Sequence, residues 1–114
     1  MGARWISLLV GSAVLLGGCS SSDASKAAIC TKAVGVIVLA EANDDAQRRL
    51  QRAQDDAAEL RKLSAQASDT SLSAALRDAA STAGQGSSHW SKARLQAWVT
   101  QEKARFDVIR KACV

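Results

Sequence analysis

From Lys26 to about Ala67, apolar residues return at alternating intervals of three and four: Ile29, Val36, Leu39, Ala46, Leu50, Ala53, Ala57, Leu60 and Ala67. Lys32, Asn43 and Ser64 are the polar exceptions. This spacing predicts one long helix with a single apolar seam. Only Gly35 weakens it. The opposite side carries Asp44 four residues before Arg48, Asp45 four before Arg49, and Arg52 four before Asp56. On a solvated helix such pairs contribute about 0.2–0.5 kcal/mol each, so this side is expected to face water. Ser68-Asp69-Thr70-Ser71 gathers turn and cap residues, which predicts a stop and a restart with Asp69 or Thr70 accepting the free N–H groups. The second arm starts near Ser71. It is interrupted at Gly84-Gln85-Gly86-Ser87-Ser88, and then Trp90, Leu95, Trp98, Val99, Phe106, Ile109 and Cys113 mark an apolar stripe to its end.

The first residues follow a different rule. Arg4 is a basic start, Trp5 to Leu16 is an apolar stretch, and Leu16-Gly17-Gly18-Cys19 follows at once. The stretch is shorter than the roughly 20 residues of a spanning helix and fits a signal segment. Leucine at the third position before a cysteine, with two small residues between, resembles the lipobox of bacterial lipoproteins. The resemblance covers residues 1–19. It implies cleavage before Cys19, a diacylglycerol on the Cys19 sulfur, and membrane lipid as a partner through that residue. Ser20 to Ser25 then reads as a flexible tether. The expected organisation is a signal peptide over 1–18, a lipidated cysteine and tether over 19–25, and a folded domain over 26–114. The destination is the extracytoplasmic side of the cell membrane or the outer membrane.

An oxidising setting changes the reading of the other two cysteines. Cys30 and Cys113 can pair only if their Cα atoms come within about 7 Å. An up-down-up bundle would put them at opposite ends, whereas a hairpin turning near Thr70 puts them side by side. The fold class expected is therefore all-α: a long antiparallel helical hairpin, its return arm broken near Gly84 to Ser88, closed by one disulfide. In that register Trp90 faces Ala53, Trp98 faces Ala42 to Ala46, and Phe106 faces Val36 and Ile37. The absence of proline and tyrosine and the single phenylalanine agree with helix over sheet. At 114 residues any core is thin, and the disulfide should be needed.

Composition and chemistry narrow the function further. The net charge of +4 is spread among interspersed acids and bases, which argues against a nucleic-acid binder. No CxxC occurs and the single histidine, His89, lies beside the glycine break, so neither a metal site nor a redox pair is expected. The acidic pairs Asp44-Asp45 and Asp55-Asp56 read as salt-bridged surface, and no serine has a visible activating base. No catalytic residue and no cofactor is expected. Lys26, Lys32, Arg110 and Lys111 gather at the disulfide end of the hairpin, the end nearest Cys19, where they are expected to touch an anionic membrane surface. The expected role is a non-enzymatic structural or interaction lipoprotein of the cell envelope, with an unknown envelope protein as partner. The alternative is a binding module for a partner helix or a small apolar ligand. In one version of it two hairpins form a homodimeric four-helix bundle, because Leu63, Leu72 and Leu76 would be poorly covered in one hairpin.

Overall fold

The computed structural model describes residues 25–43 and 45–114. Among them lie four α-helices and no strand: α1 Lys26–Glu41, α2 Ala46–Gln66, α3 Thr70–Gly84 and α4 Lys92–Ala112. Each starts on a side-chain oxygen that accepts an otherwise free N–H. Ser25 takes Ala28 N at 3.1 Å, Asp45 takes Gln47 N at 3.0 Å, Asp69 takes Leu72 N at 2.9 Å, and Ser91 takes Arg94 N at 3.2 Å.

Cross-helix contacts fix the direction of every pass. Lys26 at the start of α1 pairs with Asp69 at the start of α3 (3.4 Å), while Arg49 near the start of α2 donates to Ala40 O near the end of α1 (3.3 Å). Helices α1 and α2 are thus antiparallel. Gln54 donates to Gly84 O (3.1 Å) and Ser64 to Ser73 O (2.8 Å), so α3 runs back along α2. Trp98 donates its indole N–H to Thr82 O (2.8 Å), which sets α4 antiparallel to α3. Cys113 closes onto Cys30 with Cα atoms 5.7 Å apart. The chain runs up, down, up and down, with α1 packed on α2 and α4.

This corrects the long hairpin. The predicted helix over 26–67 is two helices, and each expected arm is folded in half. The disulfide and the break after Gly84 stand, and so does the Asp69 cap. The error lies at Asn43 to Asp45. Asp45 does not pair with Arg49 along a continuous helix; it caps α2, and Arg49 turns inward. Asp44, the expected partner of Arg48, lies outside the described residues. The apolar phase also shifts at the break. Helix α1 buries Ile29, Ala33, Ile37 and Ala40, leaving Lys32 and Leu39 outside, whereas α2 buries the expected Ala46, Ala53, Ala57 and Leu60.

Two clusters make up the interior. The larger spans the disulfide end and the middle, where Phe106 and Ile109 of α4 meet Ile29 and Ile37 of α1 and leucines from α2 and α3. The smaller holds Trp98, Leu95, Ala46 and Ala53, with Leu50 and Trp90 packed against it. Helices α2 and α3 share the most extensive interface. Buried alanines on both sides (Ala53 and Ala57, Ala79, Ala80 and Ala83) keep the helix surfaces smooth enough for close approach. The polar exception Ser64 is buried there, its hydroxyl donating to Ser73 O while Ser73 donates to Ser64 O at 2.9 Å. Leu63, Leu72 and Leu76 are each at most 1% exposed. The reason for a dimer of hairpins is therefore gone: those leucines are covered within one chain.

The glycines separate by what surrounds them. A Cβ on Gly86 would lie 2.7 Å from Leu50 Cδ1 and 2.8 Å from Trp98 Cζ2, inside the smaller cluster, whereas one on Gly35 would meet nothing within 4 Å. Gly86→Ala should destabilise by about 1–3 kcal/mol through overpacking. Gly35→Ala should stabilise by about 0.5–1 kcal/mol, since it sits in mid-helix. Urea titrations of the two variants check both signs.

Candidate functional site

The disulfide end brings together most of the basic residues expected at a membrane. Their charges are not alike. Lys26 pairs with Asp69, and Arg110 pairs with Glu41 and with Asp107 (2.9 Å). Lys32 and Lys111 are exposed, with no ion pair among the described residues. Half of the expected positive surface is thus compensated by carboxylates, which weakens its pull on anionic lipid. Cys19, the expected lipidation position, lies outside the described residues.

A second constellation sits inside the bundle, and the sequence reading missed it. Arg49 and Glu102 are 5% and 2% exposed and pair at 2.7 Å between α2 and α4. Arg49 also donates to Ala40 O, so one guanidinium ties α1, α2 and α4 together where α1 turns into α2. Its Nε has no hydrogen-bond partner. Asp56, also buried, accepts from Arg52 at 3.3 Å, as its four-residue spacing predicts, but on the inner side of α2 rather than the solvated side. The one sequence signal for Glu102 is its position four after Trp98 and four before Phe106, on the apolar stripe itself.

Burial pushes the Glu102 carboxyl above its ordinary 4.5 even against the Arg49 hydrogen bond and charge. It likewise pushes Asp56 above 3.8, opposed by Arg52. Asp69 is held below 3.8, first by the Leu72 N–H and then, against a smaller desolvation effect, by Lys26. Where a folded pKa is raised, the fold binds the proton more tightly than the unfolded chain does. Stability from Glu102 and Asp56 is therefore fully present below their ordinary values and declines as pH rises through the raised ones. Asp69 works the other way, its contribution disappearing as pH falls through its lowered value. The thermal midpoint should therefore rise on going from neutral to mildly acidic pH and fall only in stronger acid. Glu102→Gln should flatten the rise, which melts recorded across that range would show.

The remaining candidates stay apart. His89 is exposed, with its backbone N–H on Ser87 Oγ (3.1 Å). Trp98 is core, and Trp90 is half-buried under the Arg94 guanidinium at 4.4 Å. An open groove of about 530 Å³ between α2 and α3 is lined by Arg61, Arg77 and the mutually bonded Ser64 and Ser73, with no histidine or carboxylate beside the hydroxyls. Among the described residues no three His, Cys, Asp or Glu side chains converge, and no helix is long and apolar enough to cross a membrane.

What the fold defines is an antiparallel four-helix bundle closed by a disulfide between its first and last helices and pinned by a buried ion pair. The chain belongs to a family described as a domain of unknown function (DUF8711), which matches residues 24–114. No curated protein and no solved structure matches it.

Proposed function

We propose that the protein is a lipoprotein anchored on the extracytoplasmic face of a bacterial membrane through Cys19, with a non-enzymatic structural or interaction role in the envelope. The observation that carries this is Leu16-Gly17-Gly18-Cys19 directly after an apolar run of signal length. The Cys30–Cys113 disulfide supports it from the other end of the argument, since such bonds persist in oxidising compartments. A diacylglyceryl group carries two chains at once, which is what stable anchoring takes. The stretch from Ser20 to Ser25 would then join the bundle to the membrane at the start of α1.

The test is metabolic labelling with a clickable fatty acid, followed by fractionation. The wild-type chain should take up label and sediment with membranes. Cys19→Ser should take up none. Equal labelling of the two would remove the reading.

A further inference from the structure

Helix α1 is apolar on both sides. Ile29, Ala33, Ile37 and Ala40 point into the core, yet Val38 and Leu39 are each 56% exposed on the other side, next to exposed Ala27, Ala28 and Gly35 and half-buried Val34. A helix that is apolar all round is normally covered all round. The outer side of α2 differs: Arg48, Gln51, Asp55 and Lys62 are exposed there. The one hydroxyl on the outer side of α1, that of Thr31, is already used, donating to Ala27 O at 2.9 Å within the helix. Lys32, exposed and without an ion pair among the described residues, sits beside Gly35, Val36 and Leu39 on this side, and its long stem lets the ammonium reach water or headgroups while the apolar residues leave water.

The geometry points to a lipid surface as what covers it: the outer face of α1 rests in the interfacial zone of the membrane that holds Cys19, so that the bundle lies on its side. This rests on the lipid-anchor reading above. Cys19 stands six residues before the α1 cap Ser25, which allows at most about 20 Å of extended chain. Gly35, at the middle of the face, is only about 14 Å along the helix from Lys26. A lipid on Cys19 thus holds the face beside the leaflet at high local concentration, so a small apolar patch suffices. Glu41, Asp55 and Glu59 flank the face, and Lys26 is neutralised by Asp69. Lys32 remains as an uncompensated cation at the face, so docking is chiefly apolar and anionic lipid strengthens it only about fivefold, or about 1 kcal/mol.

Gly35 makes the test clean, because an added side chain there meets nothing in the fold. The full lipidated chain is placed in phosphatidylcholine vesicles containing brominated acyl chains. A tryptophan is introduced by Val38→Trp or, on α2, by Lys62→Trp. Quenching beyond that of the parent chain is expected at position 38, by about twofold as for a side chain at interfacial depth, and not at position 62. Adding Gly35→Glu should abolish it with the circular dichroism unchanged. A chain that floats with the vesicles but shows no quenching at 38, or equal quenching at both positions, overturns the docked face and leaves the anchor standing. A chain that does not float overturns both. Dimerisation of the detergent-solubilised chain that Gly35→Glu abolishes would assign the face to a second copy, and overturn the proposal in that way.

Discussion

Removing the disulfide with Cys30→Ala and Cys113→Ala is expected to cost about 4 kcal/mol, the entropy of closing so long a loop. The bond joins residues 83 apart in sequence, nearly the whole described chain. Its position matters as much as its length. Helix α1 is attached to α4 over a much smaller interface than α2 to α3, and it is the first helix, held by the chain at only one end. Without the bond, α1 keeps its contacts at Ile29 and Ile37 but loses the constraint that holds its start beside the last turn of α4. For a domain of this size the loss converts to a fall of roughly 15–30 °C in thermal midpoint. Melts of the parent chain with and without reductant, beside the double variant, measure it. A shift of only a few degrees would mean that apolar packing alone seats α1.

The second large effect belongs to the buried ion pair. Glu102→Ala should destabilise by about 3–5 kcal/mol, because the buried Arg49 guanidinium loses its acceptor on α4 and a cavity opens on the stripe between Trp98 and Phe106. Arg49 is already short of a partner at Nε. Removing Arg49 should cost a similar amount, for the opposite charge is then stranded and Ala40 O loses a donor. Replacing both at once, with Arg49→Met and Glu102→Leu, should recover most of the loss, since paired buried charges pay a desolvation cost that apolar side chains of similar volume do not. A double-mutant cycle by urea unfolding gives the coupling directly. Simple addition of the two single losses would show that the pair does not act as a unit.

Which parts of this were legible in the sequence follows from what each signal constrains. The turn at Ser68 to Ser71 and the glycine break were readable because both carry residues with a local backbone preference; α3 begins where that preference places it, whereas α4 begins beyond the break, on Ser91. Asn43-Asp44-Asp45 carries the same kind of preference. It was overridden by the spacing of Asp45 and Arg49, which suits a surface pair on a continuous helix equally well. The cysteines did not correct the error, because two antiparallel passes and four both return the end of the chain to its start. Apolar periodicity was equally permissive. Helix α1 has apolar residues on every side, so its pattern does not say which stripe turns inward; the core selected Ile29, Ala33 and Ile37 over Val36 and Leu39. Glu102 and Arg49 were unreadable for a further reason: a buried ion pair between residues 53 apart is created by the packing of α2 against α4, and neither residue has a local partner that announces it.

The proposed function stands or falls with a lipid on Cys19. Its most direct measurement is mass spectrometry of the amino-terminal peptide of the protein isolated from membranes. The lipid anchor predicts a peptide that begins at residue 19 and carries a diacylglyceryl mass on the cysteine. A peptide still containing Leu16 to Gly18, or one that begins at residue 19 with a free thiol, would contradict it.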